Sequence, residues 1–108
     1  MIIKYDSGDV YNGDLINGQR VGYGVYTFAD GKEYEGTWSG GNFEGYGRYR
    51  WSNREQYIGQ FKANQSHGFG TYFYADGKKY RGGFKNDVKS GKGKMISSSG
   101  KVIKDVEK

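Results

Sequence analysis

Apolar and polar residues alternate along this chain in short runs that return at a fixed interval. In Tyr34-Glu35-Gly36-Thr37-Trp38 every second residue is aromatic or glycine, and the residues between are polar. The alternation resumes over Gly45-Tyr46-Gly47-Arg48-Tyr49-Arg50-Trp51. Such period-two patterning predicts strands with one covered face. The whole unit recurs every 23 residues: Tyr11, Tyr34, Tyr57 and Tyr80 are each followed by a glycine (Gly13, Gly36, Gly59, Gly82) and then a large apolar residue (Leu15, Trp38, Phe61, Phe84). A Gly-x-Gly follows in the same phase, at Gly22/Gly24, Gly45/Gly47, Gly68/Gly70 and Gly91/Gly93. A period of this size signals stacked supersecondary units. A binding surface is then expected in place of an active-site cleft.

Turn formers separate the two runs of each unit: Asn17-Gly18, Gly40-Gly41, Ala63-Asn64 and Asn86-Asp87. Others join one unit to the next: Asp30-Gly31, Asn53-Arg54, Asp76-Gly77 and Ser99-Gly100. Asp-Gly between alternating apolar runs is a strong hairpin signal, and type I′ turns are expected there because both central residues need positive φ. Each unit is therefore a β-hairpin. Arg54 stands where the other junctions carry glycine, so that junction is expected to be strained, by roughly 1–2 kcal/mol, or to use another turn.

The predicted fold is all-β: an elongated, single-layer, twisted antiparallel meander of tandem 23-residue hairpins. The units run 11–33, 34–56, 57–79 and 80–102, with a half-unit at 1–10 and a degraded one at 103–108. That makes about ten strands. At ~4.8 Å between strands the sheet would be ~45 Å long, and ordinary twist would turn it through about half a turn. Large rings can lie over glycines of the adjacent strand and shield bare backbone. A column of rings over a column of glycines would give a single layer something to bury. The groove on its concave side is where function is expected; the alternation does not say which side that is.

Composition fits this picture only when position is considered. Leu, Ile, Val and Phe number 19 among 108 residues and the net charge is +5, which by itself leans toward disorder. The 11 Tyr, 6 Phe, 2 Trp and 20 Gly are placed periodically, which argues for a folded single domain with a thin aromatic core. There is no cysteine, hence no disulfide, thiol nucleophile or thiolate metal ligand. No run approaches the roughly 20 apolar residues of a membrane-spanning helix, and Met1-Ile2-Ile3-Lys4-Tyr5 lacks a signal peptide's apolar stretch. A soluble cytoplasmic protein is expected, or a soluble fragment of a larger one.

Catalytic chemistry finds little to work with. His67, the only histidine, has no orienting carboxylate in its motif and reads as a structural residue. Asp30 and Asp76 are explained by the period as turn residues. The Gly-x-Gly pairs lack the third glycine and the helix of a nucleotide loop. No enzyme activity, cofactor or metal site is expected.

Charge is uneven. Residues 78–104 hold nine basic residues against Asp87 alone, a net of +8, while residues 1–77 net −2. Lys78, Lys79, Arg81, Lys85, Lys89, Lys92 and Lys94 form a candidate site for an acidic lipid or acidic partner, with Arg81, Lys85, Lys92 and Lys94 expected to face away from the aromatic side. Each basic residue near an anionic membrane is worth about 1 kcal/mol. Terminal lysines can equally serve to discourage edge-to-edge aggregation. Nucleic acid ranks last, because the basic residues cluster at one end. A second aromatic set, Tyr23, Tyr46 and Phe69, lies between the paired glycines and by alternation points opposite to the tyrosine–tryptophan ladder. It resembles a peptide-binding strip, or it covers the back of an unlayered sheet.

The pattern Y-x-G-x-[W/F/L] followed by G-x-G-x-Y-x-[F/W]-x-D-G resembles the MORN repeat (membrane occupation and recognition nexus). Tyr34, Gly36, Trp38, Gly45, Gly47, Tyr49 and Trp51 stand at its signature positions, and His67 matches its frequent His-Gly-x-Gly. Leu15, Arg54 and Met95 depart from it. The resemblance implies a single-layer sheet of hairpins and a non-catalytic scaffold role in membrane-associated, ciliary or cytoskeletal assemblies. It leaves open groove binding of a partner segment, dimerisation and acidic phospholipid. The reading drawn from residues and resemblance together is a protein-interaction module holding an extended or helical partner segment through Tyr23, Trp38, Tyr46, Phe69, Tyr34 and Tyr57. The alternative is a peripheral membrane module that binds acidic phospholipid (phosphoinositide) through the basic last hairpin. The apolar N-terminal edge (Ile2, Ile3, Tyr5) further suggests a homodimer, or truncation from a longer array.

Overall fold

A computed structural model describes residues 1–107; Lys108, the end of the expected terminal half-unit, lies outside the described residues. Ten strands form one antiparallel sheet in strict chain order. They are β1 (Ile2–Lys4), β2 (Val10–Ile16), β3 (Gln19–Thr27), β4 (Glu33–Ser39), β5 (Asn42–Arg50), β6 (Gln56–Lys62), β7 (Gln65–Phe73), β8 (Lys79–Lys85), β9 (Val88–Ile96) and β10 (Val102–Glu107). The molecule measures 46 × 23 × 18 Å, so its long axis matches the stacking of strands. No second layer covers the sheet among the described residues.

Register explains how one layer holds together. Tyr11, Tyr26, Tyr34, Tyr49, Tyr57, Tyr72, Tyr80 and Met95 are paired in turn across β2–β9. Beside this row runs a second one, Gly13, Gly24, Gly36, Gly47, Gly59, Gly70, Gly82 and Gly93. Tyr11, Tyr34, Tyr57 and Tyr80 lay their rings across the glycine row and are at most 1% exposed. A Cβ at Gly24 would stand 2.7 Å from Tyr11 Cε1, and one at Gly47 2.6 Å from Tyr34 Cε1. Glycine is required here by close approach.

The same tyrosines mend a defect in the ladder. Pairing within each repeat's hairpin shifts just after its first glycine, between Gly13/Asp14, Gly36/Trp38, Gly59/Phe61 and Gly82/Phe84. The shift is a bulge, and the first residue of each Gly-x-Gly (Gly22, Gly45, Gly68, Gly91) has positive φ there. Each buried tyrosine hydroxyl donates to the carbonyl three residues on: Tyr11 to Asp14 (2.9 Å), Tyr34 to Thr37 (2.9 Å), Tyr57 to Gln60 (2.8 Å), Tyr80 to Gly83 (3.2 Å). Buried ladder carbonyls freed by a bulge need such a partner.

The turns differ from expectation in one respect. Type I′ geometry sits inside the repeats, where both central residues have positive φ: Asn17/Gly18, Gly40/Gly41, Ala63/Asn64 and Asn86/Asp87. The Asp-Gly junctions are not type I′. Phe28 and Lys32 pair around three residues, Gly31 N–H donates to Phe28 O at 3.0 Å, and only Gly31 has positive φ. Asp30 instead accepts the Lys32 N–H at 3.1 Å, as Asn53 and Asp76 do at their junctions. Arg54 occupies the left-handed position at φ 75°, with the turn itself unchanged.

Candidate binding groove

On the ring-bearing side, side chains from the two ends of the strands meet over the glycine row. Tyr26 lies 6.0 Å from Trp38 across that row, and Phe43 lies 6.0 Å from Tyr49. The tyrosine–tryptophan face therefore holds the groove, with rings of both strand ends around its hollow. One wall is an unbroken chain of rings at the junction ends: Tyr26 to Phe28 (4.8 Å), Phe28 to Tyr49 (6.0 Å), Tyr49 to Trp51 (4.7 Å), Trp51 to Tyr72 (5.3 Å) and Tyr72 to Tyr74 (4.9 Å). Acidic residues anchor it from behind, Tyr26 Oη donating to Asp9 and Tyr72 Oη to Glu55, both at 2.7 Å. Burial and then the Asp9 bond push the Tyr26 hydroxyl up to about 12. Tyr72 moves the same way for the same two reasons.

The opposite wall comes from the hairpin-turn ends. From the second repeat on, the turn docks on the preceding repeat, with Gly41, Asn64 and Asp87 N–H donating to the carbonyls of Arg20, Phe43 and Ser66 at 3.1, 3.2 and 3.1 Å. Asn64 and Asp87 side chains return the bond, accepting Phe43 N–H and Ser66 N–H, each at 2.8 Å. Between the walls lies a hollow of about 490 Å³ floored by Tyr57 and Phe61. It shares Tyr72, Phe84 and Asp87 with a second hollow of about 420 Å³ that ends at Lys89. The two form one groove crossing β5 to β9, ~19 Å at ordinary strand spacing.

One position on this face differs in every repeat: Arg20, Phe43, Ser66, Lys89. Arg20 holds its guanidinium 5.1 Å from the Tyr26 ring centre and 4.9 Å from Trp38. Phe43 stacks on Tyr34 at 3.9 Å and 5°. Lys89 Nζ lies 5.3 Å from Tyr74 and 5.2 Å from Tyr80. Ser66 alone offers no bulk, and the larger groove hollow lies beside it.

The opposite face carries charge and isolated rings. Glu33–Arg50 and Glu35–Arg48 pair across β4 and β5 at 2.6 Å. Tyr23 Oη donates to Glu35, and that bond, with Arg48 after it, holds the Glu35 carboxyl below its ordinary range. Toward the C-terminal end these places become Lys79, Arg81 and Lys94, with Arg81 directly opposite Lys94. Among the described residues no group of three His, Cys, Asp or Glu is placed to hold a metal ion.

The model of the MORN repeat matches residues 11–33, 34–55, 57–79 and 80–102. The chain belongs to the MORN-repeat family. No curated protein matches it across its sequence. MORN repeats are a non-catalytic repeat type and generally act as protein- or membrane-interaction modules.

The residues singled out by sequence do not share one surface. Tyr34 and Tyr57 are buried as packing, and Trp38 nearly so, its indole N–H donating to Gly24 O at 3.1 Å. Tyr23, Tyr46 and Phe69 are 59–69% exposed on the other side of the sheet. The basic set is divided too. Lys89 turns into the groove, Lys79 lies 5.6 Å from Phe73, and Lys78 and Lys94 approach Asp76 and Asp105 at 3.8 and 3.7 Å. The groove walls, Tyr49, Trp51, Tyr72, Tyr74 and Asp87, were not singled out as contacts. Lining the four repeats up at the Arg20/Phe43/Ser66/Lys89 position is the signal that finds them.

Proposed function

We propose that this MORN chain is a non-enzymatic protein-interaction module that holds a segment of a partner protein along the groove. The observation that carries the reading is the continuous aromatic-walled groove over β5–β9, open where the first repeats are filled by Arg20 and Phe43. Its ~19 Å suits about six residues of extended chain or about thirteen of helix. Rings already ordered by packing lose little freedom on binding, which favours affinity. Peptides selected by display against the folded chain test this. Their binding is expected to survive high salt, to fall at least tenfold in Trp51→Ala or Tyr74→Ala, and to persist in Tyr46→Ala, with circular dichroism verifying each fold. Selected peptides that ignore the groove variants and are lost with Tyr46→Ala would contradict the reading.

A second reading rests on the C-terminal end of the face opposite the groove. Arg81 and Lys94 face each other as register partners, an arrangement that costs stability unless an anion relieves it, and the exposed contact of Lys94 with Asp105 at 3.7 Å does so only weakly. Lys92 lines a separate hollow on this face together with Arg81, Lys94, Asp105 and Glu107. An acidic phospholipid surface would supply that anion. Vesicles containing acidic phospholipid should then pellet the chain at low salt and release it at high salt, and Lys85, Lys92 and Lys94 changed to Glu should prevent pelleting. No pelleting at low salt contradicts this reading.

A further inference from the structure

The first and third repeats build the same box with different contents. In the first, Tyr5, Tyr11, Tyr26 and Trp38 surround the Arg20 guanidinium, which donates to Tyr5 Oη at 3.2 Å and to Gly41 O at 3.1 Å. The guanidinium carbon is 5.9, 5.1 and 4.9 Å from the Tyr11, Tyr26 and Trp38 rings, within cation–π range. Two repeats on, the matching residues are Trp51, Tyr57, Tyr72 and Phe84, with Ser66 where Arg20 was and Asp87 where Gly41 was. All six of these line the 490 Å³ hollow. Even the anchor is kept, since Tyr72 Oη bonds Glu55 as Tyr26 Oη bonds Asp9. The third box is thus ringed like the first, lacks its cation and has gained a carboxylate. Asp87 Oδ1 takes the Ser66 N–H and hydroxyl at 2.8 and 3.2 Å, while Oδ2 bonds none of the described residues. Repeat four again turns a cation to the rings, through Lys89.

We infer that the third box is a receptor for an arginine side chain of a partner protein, its guanidinium lying over Trp51, Tyr72 and Phe84 and paired with the Asp87 carboxylate. The partner arginine takes the place that Arg20 holds in the first repeat. A planar guanidinium both stacks on rings and bonds a carboxylate, which an apolar side chain of equal length cannot do. The assignment rests on the groove being the partner site and names the chemistry recognised there.

An NMR titration of the full chain with N-acetyl-arginine amide at constant ionic strength tests it, with N-acetyl-norleucine amide in parallel. The Trp51 indole N–H resonance is expected to shift saturably with the arginine probe, while Trp38, in the filled box, stays still. Asp87→Asn, which suits the same left-handed turn position, should weaken the arginine response about tenfold. Ser66→Arg should abolish it by supplying the cation internally. A Trp51 resonance unmoved by arginine, or an Asp87→Asn response equal to that of the unaltered chain, overturns the assignment. An equal response to norleucine also overturns it, yet leaves the groove reading standing, because that reading fails only if selected peptides map to the opposite face.

Discussion

Each buried tyrosine does two things that no other side chain does together: its ring covers bare glycine backbone and its hydroxyl satisfies a bulge carbonyl. Removing the hydroxyl alone in Tyr57→Phe leaves the Gln60 carbonyl without its 2.8 Å partner and should cost about 1–3 kcal/mol in urea denaturation. Gly70→Ala should cost more, about 3 kcal/mol, because its Cβ would lie 2.5 Å from Tyr57 Cε1 in a place that cannot yield. Burial also sets an alkaline limit. Tyr26 and Tyr57 are pushed up to about 12 from the ordinary 10 of tyrosine, burial being the larger cause in both. The unfolded chain then gives up these protons first as pH rises. Stability should be level from neutral pH to about 10, then fall steadily between pH 10 and 12, as thermal melts across that range would show. The tyrosine–glycine partnership was legible in the sequence because both partners recur. The Arg20/Phe43/Ser66/Lys89 position was not, since attention to recurrence passes over places where the copies differ.

At the level of strands and turns, alternation located every hairpin, but the turn type was assigned to the wrong set of loops. Asp-Gly suggested type I′ at the junctions, whereas a third loop residue lets Asp30 and Asp76 keep negative φ and cap the chain after them. The type I′ turns lie inside the repeats, at Asn17-Gly18 and Gly40-Gly41, whose signals are strong, and also at weaker pairs such as Ala63-Asn64 at φ 49° and 72°. Two gains follow from the misfit residues. Arg54→Gly should raise stability by about 1 kcal/mol, because glycine accepts φ 75° without a Cβ clash. Ala63→Asn should raise it by a few tenths of a kcal/mol to about 1 kcal/mol, asparagine being favoured at that I′ position. Both are read from chemical denaturation midpoints, and a loss in either would mean the turn differs from this description. The bulges were the other hidden element. Alternation continues through Gly22 and Gly45 on paper, and nothing in it announces their positive φ or the register shift opposite them.

As a whole the molecule is a thin, nearly one-dimensional stack in which each strand pairs only with its neighbours and ring contacts reach one strand further, so stability should vary along its length. Native-state hydrogen exchange is expected to give the greatest protection in β4–β8. Protection should be least in β1, a three-residue edge strand beside the exposed Met1 and Ile2. Uniform protection from end to end would mean a cooperative globule in place of a repeat array. Length and strand order were legible because a fixed period sets both; the ~45 Å expected from strand spacing compares with 46 Å observed. The division of aromatic residues between core, groove and opposite face was not, since it depends on which rings lie down on glycine and which stand up as walls.

Everything in the groove depends on rings lying flat against the glycine row, and proton NMR reads that contact directly. A glycine Hα beneath an aromatic face is moved strongly upfield by the ring current. The Hα resonances of Gly24, Gly47, Gly70 and Gly93 should be displaced upfield together, with cross-peaks to the rings of Tyr11, Tyr34, Tyr57 and Tyr80. Ordinary glycine shifts and no such cross-peaks would contradict the account.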